Sequence, residues 1–170
     1  MAVRYLLGNE GIAHACLEAN VDFASGYPGT PSSEVIDILR VQEDRPFTVE
    51  WSTNEKVAFE NALAAAWCGL RALCTMKHVG LNVAADPLMT SAYTGVTGGF
   101  VVLSADDPFA HSSQNEQDTR RYAHFARLPC LDPSSVQEAH DMLRAALAPS
   151  EDFGLPGIVR PTTRLCHSKS

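Results

Sequence analysis

The sequence predicts an α/β fold: three layers, α/β/α, around a mostly parallel sheet. Two observations carry that reading. Short β-rich runs alternate with helical stretches along all 170 residues, the order that builds a parallel sheet covered on both faces through right-handed crossovers. The stretches that follow the strands are also the most polar in the chain, as expected where a functional edge gathers strand-end loops.

The elements follow in order. Val3–Leu7 is a short apolar run, and Ile12, Ala13, Cys16 and Leu17 give Asn9–Asn20 one apolar helical face. Asp22–Tyr27 reads as a strand ending at Pro28-Gly29. Thr30 as N-cap and Pro31 at the first helical position then open a helix over Pro31–Val41. Phe47–Trp51 is the next strand, and Asn54–Gly69 is a helix apolar nearly all round, the pattern of a buried helix. Ala72–Met76 is a strand running into a loop at Gly80, Asn82–Gly95 has helical character, and Gly99–Ser104 is a buried strand. Ser113-x-x-Glu116 is a capping pattern that opens a helix over Gln114–Phe125. Pro129–Leu131 is a short strand. Ser135-x-x-Glu138 opens a further helix with Val136, Ala139 and Leu143 on one face, and Gly157–Arg160 is the last strand. Ala148–Gly154 is expected as a loop, not a domain boundary. Residues 1–170 are therefore expected to form a single domain, with 163–170 as a flexible tail.

Composition narrows the function. The hydrophobic fraction of 45% and charged fraction of 19% are globular values. A formal charge of -7 argues against a nucleic-acid binder, because phosphate contacts need a basic surface. No apolar run is long enough to span a bilayer, so no membrane is expected, and the N-terminus does not read as a secretory signal. Cys16, Cys68, Cys74, Cys130 and Cys166 form no CxxC pair. Such thiols suit a reduced, cytoplasmic protein and provide no clustered ligands for an iron–sulfur centre. No HxH or HExxH spacing suggests a metal site. GxGxxG after the first strand, GxxxxGK[ST] and GxSxG are absent too.

The strand-end loops are YPGTPSS (27–33), WSTNE (51–55), MKHVGLN (76–82) and ADDPFAHSSQNEQD (105–118). Glu55 stands where a helix enters a buried region. Ser52-x-x-Glu55 fits a capping box, and a catalytic carboxylate is the alternative. Gly29 and Thr30 combine exposed amides with a hydroxyl at a helix start, which suits an anion, although a plain turn also explains them. His78, Asn82, His111 and Gln114 are further polar candidates, with ordinary surface or core placement as the competing reading. Lys77 reads as a solvated neighbour of His78.

The segments GYPGTPSSEVID, VEWSTNEKVAFE, TMKHVGLNVAADPLMTSAYTG and ADDPFAHSSQNEQDTRRYA resemble the N-terminal domain of indolepyruvate ferredoxin oxidoreductase α subunits. The likeness runs from about Leu6 to Arg164. It implies the pyrimidine-binding half of a thiamine diphosphate site, within the 2-oxoacid:ferredoxin oxidoreductase superfamily. The family's glutamate falls on Glu55, which is then expected to bond N1′ of the aminopyrimidine. Gly29, Thr30, His78 and Gly80 fall beside the cofactor. Thr30, His78, Asn82 and His111 fall on the substrate side.

The related pyruvate enzymes carry a carboxylate-binding arginine where this chain has Asp106-Asp107-Pro108. That departure points to an aryl-pyruvate branch, with the carboxylate held by neutral donors such as His78 and His111 or by residues from another chain. No GDG-like stretch with a downstream Asn is present. Mg²⁺ and iron–sulfur clusters are thus expected on other domains or chains. The chain itself is expected to be an excised domain, a truncated product or a split subunit, inactive alone. The resemblance implies a diphosphate-binding domain or subunit, a β subunit and ferredoxin as partners, with a 2-oxoacid and coenzyme A as substrates. A homodimer is also compatible. Trp51, Phe59, Met89 and Tyr93 are candidates for the partner interface. Two other readings remain: a subunit of a non-oxidative decarboxylase of the sulfopyruvate type, and a non-catalytic assembly domain.

Overall fold

The computed structural model describes residues 4–42 and 47–170; Val3, where the first apolar run was expected to start, lies outside them. Six strands form one parallel sheet: β1 (Phe23–Gly26), β2 (Thr48–Trp51), β3 (Ala72–Lys77), β4 (Phe100–Ala105), β5 (Cys130–Leu131) and β6 (Gly157–Val159). Their order across the sheet is β2-β1-β3-β4-β6-β5.

Period-two alternation divides the strand side chains between two cores. Leu73, Val101, Leu103 and Val159 face α1 (Gly8–Glu18), α2 (Ser33–Arg40) and α7 (Val136–Phe153). Cys74, Met76, Phe100, Val102 and Ile158 face α3 (Glu55–Trp67), α4 (His78–Val83), α5 (Ala85–Thr94) and α6 (Arg120–Ala126). The sheet is thus buried on both sides, which directs any ligand toward its edges. Burial pushes the Cys16 thiol up to about 12 and the Cys130 thiol up to about 11, so neither is a ready nucleophile.

Several boundaries differ from those read in the sequence. Leu7 makes only an isolated bridge to Lys169, so the described part of the first apolar run is not a strand of the sheet. Helix α2 begins at Ser33 with Ser32 as N-cap; Gly29 N–H donates to Ser33 Oγ (2.8 Å) and closes residues 29–32 as a turn. Thr30 is therefore no cap, and the Thr30–Pro31 peptide is cis. Gly80 lies within α4, not in a loop.

Residues 114–119 are irregular because both expected capping groups serve the loop. Ser113 Oγ donates to Asp107, and Glu116 accepts from Phe109 N–H. Helix α7 continues through Ala148–Phe153, despite Pro149, to a left-handed Gly154. Burial of Ala146, Leu147 and Ser150 outweighs the local break, and Ser150 Oγ accepts from Phe100 N–H (2.9 Å). The expected flexible tail instead contains α8 (Thr163–Cys166), with Leu165 and Cys166 buried. Residues 168–170 then pair with Leu6–Gly8. Phe59 is core, edge-on to Phe100 at 5.1 Å, and not interface.

Candidate functional site

The chain runs from β1 outward to β2 and then crosses back to β3 on the other side of β1. That reversal opens a crevice at the carboxyl ends of β1 and β3, where open α/β sheets bind ligands. Its walls are the loop 27–32 after β1, the start of α3 after β2, the start of α4 after β3 and the long loop after β4.

Glu55 is the first residue of α3, but it is not the cap. Asn54 is the N-cap, its Oδ1 accepting from Val57 N–H at 3.0 Å. Ser52 Oγ is buried without a partner, so the expected Ser52–Glu55 capping box does not form. Among the described residues, the half-buried Glu55 carboxylate has neither a hydrogen bond nor an ion pair. It lies against Gly80. A Cβ built there would fall 2.6 Å from Glu55 Cγ and Oε1, closer than real Cβ atoms come. Glycine at 80 therefore makes room for the carboxylate, and α3 and α4 bring the two predicted residues together. Thr75 Oγ1, 1% exposed on β3, is a second buried hydroxyl without a partner; it stands beside Gly26 of the neighbouring strand.

The other predicted residues fare differently. His78 is 1% exposed and has both ring nitrogens occupied: Asp107 N–H donates to Nδ1 (3.3 Å), and Nε2 donates to Asn115 O (3.1 Å). It fastens the long loop and leaves no nitrogen for a ligand. Asn82 is exposed and accepts from Tyr122 O–H at 2.6 Å. His111 and Gln114 are exposed on the long loop, and His111 lies near the Phe109 ring. Thr30 is exposed beside half-buried Gly29, whose face receives the aliphatic stem of Lys77.

The long loop is densely tied. Asp107, fully buried, accepts from Ser112 N–H, Ser113 O–H and Thr163 O–H (each 2.8 Å). Burial works against its charge, but these donors outweigh burial and hold its carboxyl well below the usual carboxylate range. Asp106, also fully buried, accepts from Thr119 N–H and O–H and pairs with Arg160 (2.6 Å). Arg160 in turn reaches Asp132 (3.1 Å), and Arg120 joins Asp132 to Asp118. The acidic pair is thus spent inside the fold. It is not a negative surface facing a ligand, as the sequence reading implied. Phe109 and Ala110 take left-handed conformations (φ 68° and 49°), uncommon for such residues, and leave the Phe109 ring 84% exposed at the loop apex. Sequence reasoning passed over Arg160 and read Lys77 only as a solvated neighbour of His78. Lys77 could have been found as a charge ending a strand otherwise free of charged residues.

Residues 14–169 match the family model described as pyruvate flavodoxin/ferredoxin oxidoreductase, thiamine diphosphate-binding. The chain belongs to this thiamine diphosphate-binding family. Within it, the chain is 54% identical over 169 residues to the indolepyruvate oxidoreductase subunit IorA of Archaeoglobus fulgidus, covering 96% of this chain and 27% of that protein. It is 56% identical over 165 residues to the IorA subunit of Pyrococcus abyssi, covering 96% and 26%. This family chain therefore spans about a quarter of the length of those relatives. The 2-oxoglutarate synthase subunit KorA of Methanothermobacter thermautotrophicus is more distant, at 24% identity over 91% of this chain and 43% of that protein. The fold superposes with a TM-score of 0.89 on 2-oxoglutarate:ferredoxin oxidoreductase from Magnetococcus marinus, covering 98% of this chain and 30% of that one at 18% identity. Among the described residues, no helix is long and apolar enough to cross a membrane.

Proposed function

We propose that this chain provides the pyrimidine-binding part of a thiamine diphosphate site in an oxidoreductase acting on indolepyruvate or a similar aryl-pyruvate. The assembled enzyme converts the 2-oxoacid and coenzyme A to an acyl-CoA and CO2 and passes the released electrons to ferredoxin. One observation carries the reading: the Glu55 carboxylate is free of the capping role its position suggests and is seated against a glycine that makes room for it. The likeness to IorA subunits favours this function over a sulfopyruvate-type decarboxylase or a non-catalytic module.

The residues present fit the aminopyrimidine end of the cofactor. Glu55 offers an unspent acceptor to N1′, Gly80 keeps the approach clear, and the Ser52 hydroxyl, just before α3, is a buried group still lacking a partner. Gly29 and Thr30 border the same crevice from the β1 side. When bound, thiamine diphosphate supplies the carbon chemistry of 2-oxoacid decarboxylation, leaving the protein to position it and tune its electrostatics. His78 acts by holding the long loop, while His111 and Asn82 stand exposed toward substrate and partner.

Mg²⁺ and the iron–sulfur clusters belong to other domains or chains of the assembly, which include a diphosphate-binding unit and a β subunit. A cytoplasmic setting agrees with the five free cysteines.

Glu55→Gln in the enzyme assembled with its β subunit tests the reading. Loss of both 2-oxoacid-dependent ferredoxin reduction and tight thiamine diphosphate binding is expected. Full activity of that variant would refute the assignment of Glu55.

A further inference from the structure

Lys77 ends β3 in the middle of the crevice, and its charge is unbalanced there. Four lysine or arginine residues among those described are buried or half-buried: Lys56, Arg71, Lys77 and Arg160. Three of them have carboxylate partners: Lys56 with Asp86 (3.4 Å), Arg71 with Glu151 (2.6 Å) and Arg160 with Asp106 (2.6 Å). Lys77 has only a carbonyl, that of Ser112, at 3.0 Å. Asp107 grips the other side of Ser112 but makes no ion pair with Lys77, and its oxygens are taken by Ser112, Ser113 and Thr163. A half-buried lysine whose stem is fixed by packing and whose ammonium has no counter-charge favours an anion that enters from outside.

The position of Lys77 narrows the choice of anion. Its stem lies across Gly29, where an added Cβ would come within 3.2 Å of the Lys77 Cδ, and its ammonium reaches the long loop after β4. Lys77 therefore joins the loop after β1 to the loop after β4 at the point where the strand order reverses. His78, the neutral donor expected to hold the substrate carboxylate, has both nitrogens occupied. We infer that Lys77 anchors the carboxylate of the 2-oxoacid substrate. The inference rests on the proposed function and adds the recognition element that the sequence reading assigned to neutral donors.

The test uses the assembled enzyme and compares unmutated protein with Lys77→Met and Lys77→Arg. Lys77→Met is expected to raise KM for the aryl-pyruvate about ten- to hundredfold, the scale of one charge-assisted hydrogen bond. The kcat value and the KM for coenzyme A should stay within about threefold, because binding is lost without loss of transition-state stabilisation. Lys77→Arg should recover most of the affinity.

Calorimetric titration with indole-3-propionate and its uncharged amide gives a readout independent of turnover. The unmutated enzyme should prefer the carboxylate, Lys77→Arg should keep that preference, and Lys77→Met should bind the two alike. If Lys77→Met fails to fold, Lys77→Gln, which removes the charge but keeps a donor for Ser112 O, takes its place in both comparisons with the same expected and overturning results. Equal KM values for unmutated and Lys77→Met enzyme, a rise confined to coenzyme A, or a retained carboxylate preference in Lys77→Met would each overturn the assignment. If the unmutated enzyme consumes a different 2-oxoacid, the aryl-pyruvate reading fails, and the same KM comparison with that acid decides Lys77 separately.

Discussion

Glu55 and Asp106 are both carboxylates at the carboxyl edge of the sheet, and they stand in opposite conditions. Asp106 is fully buried and saturated, with donors from Thr119 and an ion pair to Arg160. Glu55 is half-buried and bound to nothing among the described residues, held in place by packing on Gly80. The contrast separates two uses of a polar residue in a cleft. A saturated group fastens the scaffold, whereas an unsaturated one is available to something else. A strong effect on stability should therefore mark the first kind, and a strong effect on activity the second.

Four expected outcomes put that contrast to the test. The largest is for Asp106→Ala, which leaves Arg160 without its buried partner and should lower the unfolding free energy by about 3–5 kcal/mol in a denaturant titration. Glu55→Gln should do the reverse, reducing 2-oxoacid turnover about a hundredfold or more with the melting temperature unchanged. A clear loss of stability in Glu55→Gln would erase the distinction.

Gly80→Ala should separate the helix from the site. Alanine ordinarily favours a helix interior over glycine, yet its Cβ would collide with the Glu55 side chain. Displacing that carboxylate should cost about ten- to hundredfold in activity while the fold remains intact.

Asp107→Asn should give the smallest effect, about 1–3 kcal/mol of stability at neutral pH, and that effect should depend on acidity. The folded state holds the Asp107 carboxyl well below its ordinary range. Its contribution is therefore complete above about pH 4, the unfolded value, and is lost as pH falls further toward the folded value. Melting curves of the two proteins should accordingly converge only in strong acid.

The layered fold was legible because alternation and helical spacing leave a periodic mark. Phe100–Ala105 and the apolar α3 sit where the pattern placed them. Boundaries were lost where tertiary contacts overrode local signals. Ser113 and Glu116 form a proper capping pattern but are recruited by Asp107 and Phe109, and Pro149 is carried along by the burial of its neighbours.

The site was legible as a place and as a family likeness, and less so residue by residue. Nothing in WSTNE says that Asn54, and not Ser52, caps α3, so the freedom of Glu55 had to be seen in three dimensions. Likewise His78 and Lys77 are adjacent in sequence. Only the folded chain shows that the histidine is fully engaged while the lysine lacks a counter-charge.

The ionic chain from Asp106 through Arg160, Asp132 and Arg120 to Asp118 spans the ends of three strands and the start of α6. Segments fastened in series open together or not at all. Backbone amides of Asp106 and Thr119 should then exchange with solvent at the pace of β5 and β6, far slower than those at the Phe109 apex. The long loop would thus divide into a cooperative base and an independently breathing tip, and adaptation to new ligands would be concentrated in the tip.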